Sequence, residues 1–222
     1  MSLAKYLWIA DAGDSPGLEC HDIAPFFAHV LARIDWTNDV HFQTRTTMDT
    51  LDYSGDGINR GSKVVLAARG PARFELLDTL PTGTKTPDGF SEPRIAMPGV
   101  VTVQGPKVDS QDSSAEIRRF CESISPDEPI SRFRMIVIVD DSDMTARTLN
   151  NFLWVTFTRS NPAADIDGVG ASIDKKHWEC KGPLVIDARI KPHHAPPLVE
   201  DSEIMSRVDA LAAKGLPISK YL

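Results

Sequence analysis

Cysteine is scarce in this sequence, with Cys20, Cys121 and Cys180 the only three among 222 residues. Three thiols cannot all pair with one another, and they suit a reducing cytoplasm better than a disulfide scaffold. Long apolar runs are lacking too. Met135-Ile136-Val137-Ile138-Val139 falls far short of the roughly 18 apolar residues that span a bilayer, so no integral membrane segment is expected. No basic run appears, and 31 Asp and Glu outnumber 24 Lys and Arg to give a net charge of −7. Phosphate backbones are gripped by clustered Lys and Arg, so a nucleic-acid partner is excluded as an expectation. Met1-Ser2-Leu3-Ala4-Lys5-Tyr6 has none of the charged, apolar and cleavage regions of a secretion signal.

What remains is a globular composition, 41% hydrophobic and 25% charged, in a length that suits one large domain. Periodicity predicts four helices. Ile23, Phe26, Phe27, Val30, Leu31 and Ile34 share one helical stripe, with Asp22 placed to cap it and Pro25 in the tolerated first turn. Ser113-Ser114-Ala115-Glu116 reads as a capping box ahead of Ile117, Phe120, Cys121 and Ile124. A third helix starts near Ser142 or Asp143 and carries Leu149, Phe152, Leu153, Trp154, Thr156 and Phe157, an apolar arc broad enough to be buried on more than one side. The last has Asp201 or Ser202 as its N-cap and Ile204, Val208 and Leu211 as its stripe, with Lys214, Gly215 and Pro217 as its stop signal.

Between them lie β-branched runs at Tyr6 to Ala10, Lys63 to Ala67, Val100 to Val103, Met135 to Val139 and Leu184 to Ile186. Their continuous apolar character suggests strands covered on both faces. Val40, Phe42 and Thr44 alternate with His41, Gln43 and Arg45, the pattern of an edge strand or one with a wet face. The expectation is a single α/β domain with a mixed or mostly parallel sheet of about six strands flanked by helices. Residues 71–99, with five prolines and three glycines, form a long connection holding at most one short helix near Phe74 to Thr79.

Three constellations are candidates for chemistry. Asp11, Asp140, Asp141 and Asp187 each follow an apolar strand, where ligands collect in open α/β sheets. Converging carboxylates there would hold Mg²⁺ or act as acid and base, whereas dispersed ones cap helices and turns. His177 and Cys180, with His193 and His194 downstream, have the residue types of a zinc site but no standard spacing. Lys175, Lys176, Lys181 and Lys191 surround them and oppose a dication. Four lysines and three histidines within twenty residues suit a weak anion-binding face better. Gly55-Asp56-Gly57-Ile58-Asn59-Arg60-Gly61 lacks the phosphate-loop spacing and reads as a turn into the next strand. G-K-[ST], H-E-x-x-H and C-x-x-C are all absent.

One passage is more specific. Ile136-Val137-Ile138-Val139-Asp140-Asp141 leads to a helix reading Asn150-Asn151-Phe152-Leu153-Trp154, then Thr158-Arg159, Pro162 and Asp165. Gly182-Pro183-Leu184-Val185-Ile186-Asp187-Ala188-Arg189 follows, then a Pro-rich link and a helix opening Glu200-Asp201-Ser202-Glu203-Ile204. From about residue 133 onward this order resembles the carboxy-terminal domain of the UbiD decarboxylases, a family that includes the enzyme acting on polyprenyl-4-hydroxybenzoate in ubiquinone synthesis. The earlier segment, with His41-Phe42-Gln43-Thr44-Arg45-Thr46-Thr47, looks like the same domain in one subgroup. The resemblance implies decarboxylation of an aromatic or α,β-unsaturated acid with prenylated FMN, a divalent metal and potassium. The family's flavin site, metal ligands and catalytic Arg and Glu lie in an amino-terminal region that this sequence lacks, so no residue here inherits those roles. The expectation is a cytoplasmic oligomerisation and active-site-closing domain, inactive alone. It would form a homo-oligomer, dimer or larger, beside a flavin-binding domain or subunit. The alternatives are an autonomous Mg²⁺-dependent enzyme built on the strand-end aspartates, or a purely structural partner.

Overall fold

In the computed structural model, which describes residues 3–55, 57–109, 113–196, 199–213, 215–216 and 219, the run Met135–Val139 (β6) is buried at every position. It lies in the middle of a five-stranded sheet. Val100–Gln104 (β5) and Leu184–Asp187 (β10) flank it in parallel, while Ser91–Met97 (β4) and Ile166–Gly168 (β7) close the two edges antiparallel. Apolar cover on both faces is the reason for the unbroken run. On one face Val101, Val103, Ile136, Ile138 and Val185 meet Ile117, Phe120 and Cys121 of the helix Ser114–Glu122 (α2). On the other, Val137, Val139, Leu184 and Ile186 share a core with a second sheet.

That second sheet has three strands. Gly61–Ala68 (β3) is central, with Tyr6–Ala10 (β1) parallel and Val40–Thr46 (β2) antiparallel beside it. β2 is an edge strand with an exposed face, as its alternation predicts. Val64 and Leu66 join the shared core, packed with Phe27, Val30 and Leu31 of the helix Ile23–Leu31 (α1). A hairpin of Ser172–Asp174 (β8) and His177–Glu179 (β9) makes a third, small sheet. The α/β class and mixed sheet are therefore as expected, but among the described residues ten strands are divided over three sheets. No helix among the described residues is long and apolar enough to cross a membrane.

Several local expectations give way to tertiary contacts. β1 is not covered on both faces, since Leu7 is 47% and Ile9 43% exposed. The predicted third helix is two, Ser142–Ala146 (α3) and Leu149–Thr158 (α4), because the Thr148 hydroxyl accepts from Asn151 N at 3.1 Å and starts a new helix. α4 also keeps a wet side, with Trp154 53% exposed. Residues 74–79 form no helix. Their backbone is pinned instead, Phe74 N donating to Ala32 O at 3.1 Å and Gly99 N to Leu77 O at 2.8 Å.

Further along that connection β4 pairs with β5 across a Pro98-Gly99 turn, and Pro93 is tolerated because β4 is an edge. The last helix, Ser202–Ala212 (α6), is capped by Asp201, which accepts from Glu203 N and Ile204 N. Its stop signal lies partly outside the described residues, at Lys214 and Pro217. No α6 side chain is buried, so the stripe of Ile204, Val208 and Leu211 faces solvent.

Gly99 sits at φ 81° in the β4–β5 turn, and a Cβ there would lie 2.8 Å from Leu76 Cδ2. Gly99→Ala is expected to lower unfolding stability by about 1–2 kcal/mol, combining left-handed strain with that contact. Urea denaturation of the two chains checks it, and an unchanged midpoint would refute the turn geometry.

Candidate functional site

β10 ends on Asp187, which has no exposure to solvent. A bare carboxylate there would be prohibitively costly, so its charge must be matched. Two residues on, Arg189 returns to clasp it, Nε donating to Oδ1 and Nη2 to Oδ2, both at 2.8 Å. The same guanidinium reaches Glu116 of α2, Nη1 to Oε1 at 3.1 Å and Nη2 to Oε2 at 3.2 Å, and gives a further bond to Pro106 O. Four residues on, Lys191 Nζ donates to Asp187 O at 3.1 Å and pairs with Asp165 Oδ1 at 3.2 Å. Asp165 belongs to the short helix Pro162–Asp165 (α5) and accepts from Asn161 N at 2.7 Å. Burial nevertheless pushes its carboxyl up to about 6. Asp187 goes the other way, its carboxyl held below the usual range: burial opposes this, but hydrogen bonds from Arg189 and the charges of Lys191 and Arg189 prevail.

This network explains why the capping box does not form. The Ser113 hydroxyl turns to Asp165 at 3.4 Å and Glu116 turns to Arg189, so neither side chain caps α2. Ser160 and Asn161, which follow α4, carry the polar contacts onward to the second sheet. Asn161 Oδ1 accepts from Ser62 N at 3.0 Å and also from the Ser62 hydroxyl. Lys5, at the start of β1, is buried against Asp52 at 2.8 Å, the Ser54 hydroxyl at 2.7 Å and Ser160 O at 2.9 Å. Burial lowers its ammonium pKa although Asp52 opposes the shift.

The strand-end aspartates separate in role. Asp140, after β6, accepts from Arg159 Nη1 at 3.0 Å and from Ile190 N at 2.9 Å, which holds the segment after β10 against β6. Asp141 caps α3 through Met144 N at 2.8 Å. Asp11 lies on the other sheet and accepts from Gly13 N in an exposed turn. Asp140 and Asp187 thus share one end of the five-stranded sheet, each committed to an arginine.

The His and Cys candidates are likewise dispersed. His177 Nε2 lies 3.0 Å from Thr37 O, and its ring stands beside His41. The buried Cys180 thiol points at Gly182 O, 3.6 Å away, and burial raises its pKa to about 12, which makes the thiol unreactive. His193 and His194 pack edge to face with centroids 4.7 Å apart. Among the described residues no group of three or more His, Cys, Asp or Glu side chains is placed to hold a metal ion. The suggested anion face loses Lys191 to the interior, while Lys175 and Lys176 form the β8–β9 turn at φ 46° and 73°. Of the Gly55 to Gly61 stretch, Asp56 lies outside the described residues; Gly57 and Arg60 pair in a turn into β3, and Ser62 N beyond it already donates to Asn161.

His194 belongs to a different feature, a cavity of about 640 Å³ between residues 49–54, α4 and the segment 190–196. Burial, reinforced by the nearby Lys191 ammonium, pulls its pKa down to about 4. Sequence pattern points neither to this cavity nor to Arg189, Lys5 and Arg159. The available signal is Asp187-x-Arg189-x-Lys191, cations spaced by two behind an apolar strand.

Comparison with known proteins bears on these features. Residues 1–68 match the family model of the 3-octaprenyl-4-hydroxybenzoate carboxy-lyase C-terminal domain. The match covers β1 to β3, whereas the resemblance seen in sequence is most specific beyond residue 133. An uncharacterized protein of Chlamydia trachomatis serovar D is 28% identical over 207 residues, 91% of this chain and 32% of that one. A Chlamydia pneumoniae protein, named as one of the subunits of a 4-hydroxybenzoate decarboxylase, is 24% identical over 220 residues, 94% of this chain and 33% of that one. The chain thus spans about a third of the length of these curated relatives. The open form of vanillic acid decarboxylase from Sedimentibacter hydroxybenzoicus aligns with a TM-score of 0.34 at 14% identity, covering 78% of this chain and 45% of that one. That likeness is too slight to bear on fold or function.

Two outcomes test the site. Arg189→Ala strands Asp187 and Glu116 without their cation and is expected to cost about 3–5 kcal/mol in guanidinium denaturation. A loss under about 1 kcal/mol, the range of an exposed pair, would show that the network is not closed as described. The second test is acidification. His194 is held neutral in the folded chain down to about pH 4 but takes up a proton near 6.5 when unfolded. Stability contributed by the neutral ring is therefore lost as pH falls from 6.5 toward 4. Asp165 acts oppositely, since its folded carboxyl protonates near 6 and its unfolded one near 3.8. His194→Gln removes the first effect and keeps the second. Its melting temperature should fall less than the wild type's between about pH 7 and 4.5, and equal slopes would refute the burial of His194.

Proposed function

From a UbiD-like chain whose residues 1–68 match the family's carboxy-terminal domain, we propose a carboxy-terminal domain of a decarboxylase acting on an aromatic or α,β-unsaturated acid of the 4-hydroxybenzoate type. Its work is to join subunits and to close one side of an active site whose reactive groups lie in a flavin-binding domain or subunit. The observation that carries this reading is the commitment of the acid and base groups. Asp187, Glu116 and Asp165 are neutralised by Arg189 and Lys191, and Asp140 by Arg159.

A flavin phosphate or a divalent metal fits these residues poorly. Lys5, Arg159, Arg189 and Lys191 are already paired with carboxylates, and no carboxylate cluster with free lone pairs is formed among the described residues. In this reading prenylated FMN, its divalent metal and potassium belong to the flavin-binding part. The reading includes a cytoplasmic location, which suits three free thiols.

Subunit joining is supported by apolar surface that the fold leaves uncovered. Ile204, Val208 and Leu211 on α6 are 55%, 40% and 51% exposed. A surface helix normally buries such a stripe. The autonomous Mg²⁺ enzyme is disfavoured by the separation of Asp11 from Asp140 and Asp187 onto different sheets.

The test has two parts. Sedimentation of the chain is expected to give a dimer or larger species, and Ile204→Glu with Val208→Glu to give a monomer with unchanged circular dichroism. A monomeric wild type at high concentration would remove subunit joining. Titration with prenylated FMN should show no stoichiometric binding, and tight binding would overturn the assignment of the cofactor to another part.

A further inference from the structure

Among the described residues β1 pairs with β3 alone, so its outer side is an open sheet edge. Val64 N donates to Lys5 O at 2.9 Å and Asp11 N to Ala68 O at 3.3 Å. Backbone groups alternate in direction along a strand, so Lys5, Leu7, Ile9 and Asp11 turn theirs to β3. The N–H and C=O of Tyr6, Trp8 and Ala10 then point away from the sheet. Charge, proline, bulges and shortness are the devices that keep a free edge from pairing, and the other edges have them. β2 carries His41, Gln43 and Arg45 and shifts register between Gln43 and Thr46. β4 contains Pro93 and two register shifts, and β7, β8 and β9 are three residues each. Tyr6-Leu7-Trp8-Ile9-Ala10 has no charge, no proline and five residues in unbroken register with β3. Tyr6 and Trp8 pack inward on Phe157 and Phe27, which leaves Leu7 and Ile9 exposed on the opposite face.

The strand is complementary to itself. Antiparallel pairing of β1 with β1 of a second copy, about a two-fold axis at Trp8, sets Trp8 against Trp8 and Tyr6 against Ala10. Every outward N–H and C=O of both strands is then exchanged. Leu7 of one copy lies directly opposite Ile9 of the other, at the non-hydrogen-bonded positions where side chains come closest. The two exposed apolar residues thus cover each other on both sides of the axis. The same register puts Lys5 across from Asp11, so no like charges meet. Beside the edge, Tyr6, Trp8, Ile23, Phe26 and Leu153 line an apolar groove of about 480 Å³, which leaves room for the approach on the helical side. A five-residue strand pair is smaller than the roughly 1,000 Å² of a lasting interface and needs a second support. The bare stripe of α6 is placed to give it. Phe157 of α4 lines both the groove at β1 and the cavity walled by Ile190 and Pro196, in the segment that precedes α6.

Resting on the subunit-joining reading, we propose that two copies of this chain pair β1 to β1, antiparallel about Trp8. The two three-stranded sheets become one six-stranded sheet of order β2-β3-β1-β1-β3-β2, with α6 as the second support, so that loss of either surface gives monomers. Charge reversal across the axis tests the pairing in the whole chain. Leu7→Lys with Ile9→Lys, and separately Leu7→Glu with Ile9→Glu, set like charges directly opposite each other. Each variant alone should sediment as a monomer at loadings where the wild type is associated, a weakening of at least about 100-fold. An equimolar mixture of the two variants should recover the dimer, because each lysine then faces a glutamate. Recovery shows at the same time that both variants are folded. Association of either variant as strong as the wild type's, or monomers that stay apart when mixed, would overturn the β1 pairing and leave subunit joining through α6 standing. A wild type that is itself monomeric at high concentration would overturn both.

Discussion

A fully buried carboxylate at the end of β10 constrains everything near it. Asp187 is stable there only because Arg189 meets both of its oxygens, and Arg189 is stable only because Glu116 and Pro106 O absorb its remaining donors. Unlike apolar contacts, these bonds have direction. They fix how α2 lies against the end of β10, and through Lys191 and Asp165 they fix α5 as well. Asn161 then ties that end to Ser62 of β3. The two sheets share an apolar core that specifies little about their relative rotation. The polar chain supplies that specification at one end. Removing a single member leaves a buried charge, so the network is an all-or-none feature.

The same network bears on chemistry. A carboxylate that serves as acid, base or metal ligand needs lone pairs free to meet a proton or a cation. Those of Asp187 face Arg189, and those of Asp140 face Arg159 and Ile190 N. Four aspartates after three strands look like a converging set in sequence. In space they are two neighbours at one sheet end, a helix cap and an exposed turn on another sheet.

Much of the fold is legible in sequence because it rests on local pattern. The positions of β1 and β6, the edge character of β2 and the Asp201 cap of α6 follow from periodicity and capping chemistry that tertiary contacts leave undisturbed, whereas α1 starts where expected but without a side-chain cap from Asp22 and stops at Leu31, short of Ile34. The failures share a cause. Ser113 and Glu116 have the spacing of a capping box, but Arg189, 73 residues away from Glu116, competes for the carboxylate and prevails. β4 is hidden among prolines and glycines because an edge strand tolerates Pro93, and its partner β5 lies across a turn that reads as loop chemistry. The apolar runs of β1 and α6 stand on the elements their patterns indicate, yet apolarity alone says that a face will be covered, not that this chain covers it.

The cavity at His194 is illegible for a deeper reason. The state of the His194 ring there depends on a tautomer, which is set by one backbone N–H three residues earlier, and on burial beside Lys191. Read as letters, His193-His194 among lysines suggests an anion or a metal. Read as geometry, Lys191 turns inward to Asp165 and its backbone amide occupies Nδ1. A residue that suggests positive charge in sequence, His194, is thereby held neutral in the wall of an aromatic cavity. The step from one reading to the other is again the buried ion network, because the turn that brings Lys191 to Asp165 is the one that carries His194 into the cavity wall it shares with Trp154.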